Sequence, residues 1–467
     1  MQYIENHTYE EIKVGDSAEL TRTLRKEDIE LFAVLSGDVN PAHVDEDYAK
    51  SDAFHKVIAH GMWGGALISA VLGTELPGPG TIYLDQALHF CKPVGLGDSV
   101  TVRVTVHEKH PEGNKITLDC VCFNQAGEVV LEGEARVQAP AAKVKRPRAM
   151  LPEVHMHERG ARYAQLIEAT RKLDPIRIAV VHPCDELSLS GAIEAMREGL
   201  ILPVLVGPAA KIRATAEKLG RPIDGIELVD VPHSHAAAAR AVELARSGDV
   251  RALMKGALHT DELMSAVVDA ATGLRTERRM SHVFALDVPT YPKPLLLTDA
   301  AINIDPDLMD KRDIVQNAID LAHALGIAEP KVAVLSAVET VYPKIRSTVD
   351  AAALCKMRDR GQITGAIVDG PLAFDNAISR ASANTKNIVS PVAGDADILV
   401  VPDLESGNML VKQLIYLGGA EAAGIVLGAR VPIVLTSRSD DVLSRLASCA
   451  LAVLFEHFHH RHPPNPS

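Results

Sequence analysis

Ser36-Gly37-Asp38-Val39-Asn40-Pro41-Ala42-His43-Val44-Asp45 places a carboxylate, Asp38, and an imidazole, His43, on one turn rich in Gly, Asn and Pro. Gly37, Asn40 and Pro41 disfavour a continuous helix here, so the two side chains are expected to converge from a loop. A carboxylate and a neutral imidazole that share one water can take its proton and direct its attack. The residues on either side extend this reading. Phe32 and a short apolar stretch lead into the turn. Downstream, His60-Gly61-Met62 opens a run to Leu76 that is nearly all apolar and small, expected as a helix buried on most sides.

The next segments alternate with a period of two. Val100, Val102, Val104 and Val106 alternate with Thr101, Arg103 and Thr105. Ile116, Leu118, Cys120 and Cys122 repeat the pattern, as do Val129, Leu131, Gly133, Ala135 and Val137. Turn residues at 111–114 (Pro-Glu-Gly-Asn) and 125–128 (Gln-Ala-Gly-Glu) make these runs hairpins. One helix wrapped by an antiparallel sheet is an α+β arrangement, expected over residues 1–140. Residues 141–156 are rich in Ala, Pro and basic side chains and read as a solvated linker, including the basic run Lys143 to Arg146. From 157 to 467 the pattern changes. Short β-rich runs (Ile176 to Val181, Val204 to Val206, Val332 to Ser336, Ile398 to Val401, Ile433 to Thr436) are separated by Ala/Leu-rich helical segments. That pattern predicts an α/β fold with a mainly parallel sheet. Neither GxxxxGK[ST] nor a strand-to-helix GxGxxG occurs in this half, which counts against a P-loop and a dinucleotide site.

The bulk composition narrows the function classes. A chain of 467 residues with 47% apolar and only 4% aromatic residues builds sizeable cores from Ala, Val, Leu and Ile. A net charge of -13 argues against nucleic-acid and anionic-membrane partners. Six scattered cysteines without a CxxC pair fit a reduced, cytoplasmic setting. No basic-then-apolar leader opens the sequence, and Gly, Pro or charge interrupts each apolar stretch before it could span a bilayer.

The stretch from Phe32 to Asp45 fits, without a gap, the hydratase motif of the MaoC-like (R)-specific enoyl-CoA hydratases, and the N-terminal half resembles that family. The resemblance implies a hot-dog fold that forms dimers through this domain. It implies that Asp38 and His43 activate water and protonate the α-carbon of a 2-enoyl thioester. The backbone N–H of Gly61, at a helix N-terminus, is the candidate oxyanion donor, with an ordinary packing glycine as the even alternative. His60 reads as a plain N-terminal helix residue.

Four stretches carry the C-terminal chemistry: Met254 to Thr260, Val368 to Leu372 with Asp375, Pro391 to Asp397 leading to Asn408 and Lys412, and Ala429 to Asp441. In this order they resemble the phosphate acetyl/butyryltransferases over nearly all of residues 157 to 455. The resemblance implies exchange of a CoA thiolate and a phosphate on one acyl carbonyl, and it assigns Ser437, Arg438 and an aspartate to that site. The chemistry requires such groups: a base for the thiol, an arginine fork for phosphate and a hydroxyl for the oxyanion. Both Asp440 and Asp441 stand as candidates for the base. Where the acetyltransferases carry an arginine after His-Thr, this chain has Asp261-Glu262-Leu263-Met264-Ser265, so CoA needs another cation, from Arg275, Arg278 or Arg279. Lys255, Asn408 and Lys412 are weaker candidates for phosphate or CoA contacts, and Asp369 before Gly370-Pro371 reads as a turn former. The His-rich end (His457, His459, His460, His462) reads as a disordered tail, and no metal is expected.

The expectation is therefore a bifunctional enzyme using acyl-CoA thioesters and inorganic phosphate as substrates, with no tightly bound cofactor. The alternatives are that one half is a CoA-binding or assembly module that has lost turnover, or that the first domain serves only oligomerisation.

Overall fold

The computed structural model describes residues 3–150, 154, 160–435 and 441–461. The chain divides into two compact units, Met1–Met156 and His157–Ser467.

In the first unit, strands β1 (Tyr3–Glu5) and β2 (Ser17–Thr23) precede helices α1 (Lys26–Ser36), α2 (Pro41–Val44), α3 (Glu46–Ser51) and α4 (Gly61–Thr74). Strands β3 (Ile82–Phe90), β4 (Ser99–His110), β5 (Lys115–Phe123), β6 (Val129–Gln138) and β7 (Lys145–Pro147) follow. The antiparallel sheet runs β2-β4-β5-β6-β3. Its inward residues, among them Val102, Val104, Ile116, Leu118 and Cys120, pack with Trp63, Leu67, Ile68, Val71 and Leu72 of α4 in one core. The spacing of those five residues is one helical stripe. The opposite side of α4 (Gly61, Met62, Ala66, Ser69, Gly73) is exposed, so the helix is not buried on most sides as its uniform apolarity suggested. Uniform apolarity hides which face packs.

Part of the stretch read as a solvated linker belongs to this unit. β7 pairs antiparallel with β1, Tyr3 opposite Pro147. Lys143 Nζ lies 2.9 Å from Glu11 and 3.5 Å from Glu5. The buried Asn6 donates to the Ala142 carbonyl and accepts the Val144 N–H. Strand pairing and the buried Asn6, joined by exposed ion pairs to the acidic N-terminus, hold this basic run without hydrophobic burial.

The second unit contains β8 (Ile176–Val181), β9 (Ile201–Gly207), β10 (Glu227–Asp230), β11 (Ala252–Lys255), β12 (Ser281–Asp287) and β13 (Leu295–Thr298). It continues with β14 (Lys331–Leu335), β15 (Ile367–Leu372), β16 (Ile398–Val400), β17 (Glu421–Leu427) and β18 (Ile433–Val434). They form one sheet in the order β10-β9-β8-β11-β18-β17-β12-β13-β16-β14-β15. The outer strands pair in parallel. The central strand β12 runs antiparallel to β13 and β17, and β17 runs antiparallel to β18. Helices cover both faces, as buried β-strands require. The final helix, Val442–Arg461, includes His457, His459 and His460, so that stretch is not the disordered tail expected from its composition. His457 Nε2 bonds the Asp174 carbonyl at 2.8 Å and the His459 ring lies 4.4 Å from that of Phe455. His462 lies outside the described residues. None of the described helices is long and apolar enough to cross a membrane.

Candidate active sites

The turn-forming residues of the 36–45 motif have local structural roles that present Asp38 and His43. The Ser36 hydroxyl donates to the Phe32 carbonyl, and Gly37 ends α1 in the left-handed conformation at φ 75°, where a side chain is costly. Asn40 caps α2 by accepting the Ala42 N–H, and Pro41 opens that helix. Asp45 caps α3 by accepting the Asp47 and Tyr48 N–H groups. Asp38 sits in the loop between α1 and α2, while His43 lies on the single turn of α2 rather than on a loop.

The structure brings a third group to the pair. One donor atom each from Asp38, His43 and His60 lies within 4.8 Å of the other two. His43 Nδ1 is 2.9 Å from the Ile58 carbonyl. A carbonyl only accepts, so Nδ1 carries a proton, and in the neutral ring Nε2 presents a lone pair. His60 packs between Phe32 and His43, with ring centroids 5.0 and 4.0 Å away. Its Nε2 is 3.0 Å from the Asp38 carbonyl, while its buried Nδ1 has no hydrogen-bond partner among the described residues. His60, read from sequence as an ordinary helix residue, therefore clamps the loop that carries Asp38. Its position directly before a buried helix was the only signal for it.

A cavity of about 310 Å³ opens beside these groups. His43, His60 and Gly61 line it, and Trp63, Val100, Cys122, Val130 and Leu131 make its interior apolar. Gly61 is the first residue of α4, so its N–H is one of the donors the helix itself leaves over. A Cβ at Gly61 would meet the Phe90 ring at 3.0 Å, which keeps this position small. The site thus offers an acid/base pair, a helix-end donor and an apolar slot side by side.

The residues nominated in the second unit fall into two groups. Lys255 ends β11, buried, with Nζ 3.2 Å from the Leu258 carbonyl and 3.3 Å from that of Gly256. β11 pairs in parallel with β18, Met254 opposite Val434, so Lys255 stands beside the strand end that leads towards Ser437. Ser437, Arg438 and Asp440 lie outside the described residues. Asp441 is described: its carboxylate accepts the Ser444 N–H at 2.8 Å, an N-cap of the last helix.

The second group surrounds a turn that the sequence reading missed, Asp299 to Asn303. The buried Asp299 carboxylate accepts the N–H groups of Ala301, Ile302 and Asn303 and the Asn303 amide, at 2.6 to 3.1 Å. Burial raises its pKa while these four donors pull it down. Arg279 Nε donates to Asn303 Oδ1 at 2.7 Å, and Asn408 donates to the Ala300 carbonyl at 3.2 Å. Lys412, on the same helix (Leu404–Tyr416), is exposed. Arg278 instead pairs with Asp320, and Arg275 is exposed. Asp369 lies within strand β15, paired opposite Ala333, so it is not the turn former its place before Gly-Pro suggested; its carboxylate accepts the N–H of Gly370 at 2.9 Å. Ile302 of this turn and Leu435 before Ser437 pack against the same apolar cluster. Beside Leu435 lies His282, fully buried, whose pKa burial pushes down to about 4. A short Asp-to-Asn turn after a buried strand was the signal available for the Asp299 group.

Known proteins match both units of the chain. The family description "Phosphate acetyl/butaryl transferase" matches residues 233–453. The phosphate acetyltransferase of Rhizobium meliloti is 63% identical over 295 residues, covering 63% of this chain and 93% of that one. The chain belongs to the phosphate acetyl/butyryl transferase family. The phosphate butyryltransferase of Clostridium acetobutylicum is 40% identical over 292 residues, 62% of this chain and 97% of its own. The N-terminal unit is also matched: "MaoC like domain" covers residues 9–119. The unliganded R-hydratase PhaJ1 of Pseudomonas aeruginosa is 46% identical over 33% of this chain and 100% of its own, at a TM-score of 0.33. A MaoC-like hot-dog domain and a phosphotransacylase domain are thus joined in one chain.

Proposed function

We propose that the chain catalyses two reactions of CoA thioesters: (R)-specific hydration of short 2-enoyl-CoAs in the first unit and acyl exchange between CoA and phosphate in the second. The observation that carries the hydratase half is the convergence of Asp38 and His43 beside an apolar cavity, with His43 Nε2 held as a lone pair. Water bound between the two loses a proton as its oxygen attacks the β-carbon. The same pair returns a proton to the α-carbon, and the Gly61 N–H stabilises the enolate oxygen formed between these steps. The water is added across one double bond, and the site runs as a dehydratase in reverse. A cavity of about 310 Å³ is at the small end for ligands, which favours short acyl chains.

In the second unit the thiolate of CoA attacks the carbonyl of an acyl phosphate and phosphate leaves. Ser437 and Arg438 serve the oxyanion and the phosphate, with Asp440 or Asp441 as the base. Asp441 already caps a helix, which favours Asp440. Arg279 and Asn408, held on the Asp299 turn, serve as the cation and amide contacts for CoA or phosphate, in place of the missing arginine after Thr260. The 63% identity to an acetyltransferase, against 40% to a butyryltransferase, makes acetyl-CoA the proposed acyl donor. A cytoplasmic setting and a dimer through the first unit belong to the same proposal. The six described cysteines are all free, and the small-residue face of α4 is open.

The test is a substrate panel on the purified chain. Loss of enoyl absorbance from crotonyl-CoA, with chiral analysis of the product, reads the first reaction. Phosphate-dependent CoA release from acetyl-, propionyl- and butyryl-CoA reads the second. An (R)-3-hydroxy product and fastest release from acetyl-CoA are expected. An (S) product or no hydration ends the first assignment, and preference for butyryl-CoA ends the acetyl assignment.

A further inference from the structure

We propose that Asp38, His43 and His60 form a binding site for a divalent transition-metal ion such as Zn²⁺, and that its occupation switches the hydratase off. The inhibition rests on the hydratase reading above, whereas the metal site rests on geometry alone. Two imidazoles and one carboxylate, each with a donor atom within 4.8 Å of the other two, are a recognised ligand set for Zn²⁺ and its neighbours.

Each histidine also has one ring nitrogen anchored. His43 Nδ1 is held by the Ile58 carbonyl and His60 Nε2 by the Asp38 carbonyl. That anchoring orients metal-binding imidazoles and fixes which nitrogen is bare. His60 is 3% exposed, and its Nδ1 has no partner among the described residues. A buried bare nitrogen facing no donor is costly, and a cation or a donor satisfies it. His43 and His60 both line the open cavity, which gives an ion an entry path. Donor atoms around one Zn²⁺ lie about 3.4 Å apart, given bond lengths near 2.0–2.2 Å. The triad must therefore close by at most about 1.4 Å, and the Asp38 carboxylate, exposed on its loop and held among the described residues only by the Asn40 N–H at 3.2 Å, is the group placed to do so.

Closure on a metal takes the Asp38 carboxylate and the His43 lone pair away from water. The ion would thus compete directly with the catalytic pair.

The experiment uses the full chain, stripped with EDTA and freed of chelator, then titrated with Co²⁺ while its visible d–d absorption is followed. The His-rich helix end is a second place where metal could bind, so the variants decide. A saturable band displaced by Zn²⁺ is expected in the wild type. It should be lost in His60→Gln and in Asp38→Asn, with Zn²⁺ affinity weakened about tenfold or more. Circular dichroism and retained acyl transfer to phosphate establish that each variant is folded. In the wild type, hydration of crotonyl-CoA should fall in step with Zn²⁺ occupancy and return with EDTA. A band unchanged in both folded variants places the metal elsewhere and overturns the site. Zn²⁺ binding that leaves hydration untouched overturns the switch. A metal-free wild type that does not hydrate crotonyl-CoA yet shows the variant-sensitive band overturns the hydratase reading and leaves the site standing.

Discussion

The two units solve the same problem, handling a CoA thioester, in opposite ways. In the first, the pair proposed to react lies on one ten-residue stretch, and every turn-forming residue of that stretch has an identified bond that presents Asp38 and His43. In the second, the nominated groups come from strand ends and turns far apart in sequence: Lys255 after β11, Arg279 before β12, the Asp299 turn after β13, and Asn408 on a later helix. A local motif is fixed by caps and survives as a readable word. A dispersed site is fixed by sheet topology, and its members are marked only by short, separate signals.

This contrast makes the units separable by mutation. The largest effect is expected for Asp38→Asn, which should cut crotonyl-CoA hydration by about 10²–10⁴-fold while phosphate-dependent release of CoA stays unchanged. A parallel loss of both activities would mean that the units do not act independently.

The second prediction concerns stability of the second unit. The folded pKa of His282 is lowered from 6.5 to about 4 by burial. The unfolded chain therefore binds a proton that the folded chain excludes between these values. Its stabilising contribution is complete above pH 6.5 and is lost as the pH falls towards 4, by about 3 kcal/mol. Denaturant melts of the wild type and His282→Leu across this range should show a shallower pH slope for the variant. Equal slopes would remove His282 as the cause.

Arg279→Ala comes next. Loss of a charged donor near phosphate or CoA costs about 1.5–3 kcal/mol, so the KM for one of these substrates should rise about ten- to hundredfold. Hydration should not change. An unchanged KM for both substrates would return Arg279 to a purely structural pairing with Asn303 and Asp310.

The smallest effect is expected at the cavity wall. A Cβ at Gly64 would sit 2.9 Å from Leu131 Cδ2, and both residues line the cavity. Gly64→Ala should therefore lower kcat/KM for hexenoyl-CoA by about tenfold relative to crotonyl-CoA. An unchanged ratio would place the acyl chain elsewhere.

The sequence was readable where one physical signal dominated. The alternation of Val100 to Val106 marks β4, and that of Ile116 to Cys122 marks β5, because one face of each packs on α4. β12 carries no such rhythm, since nearly every residue from Ser281 to Asp287 is buried, and its antiparallel direction follows only from the sheet order. β3 was missed because Ile82, Tyr83 and Leu84 are apolar yet exposed, which erases the alternation. Asp38 and His43 were legible through their turn, whereas His60 acts through a contact across 22 positions that no local pattern records. The composition of Lys143 to Arg146 suggested a solvated linker because it does not reveal the acidic partners Glu5 and Glu11.

The most direct test of two independent sites on one chain is a crossed assay of Asp38→Asn and Ser437→Ala in the full-length protein. Each variant should lose one activity and keep the other at the wild-type rate, hydration failing in the first and acyl transfer to phosphate in the second. If either variant abolishes both activities in a folded chain, or leaves its own reaction untouched, the account of two separate active sites is contradicted.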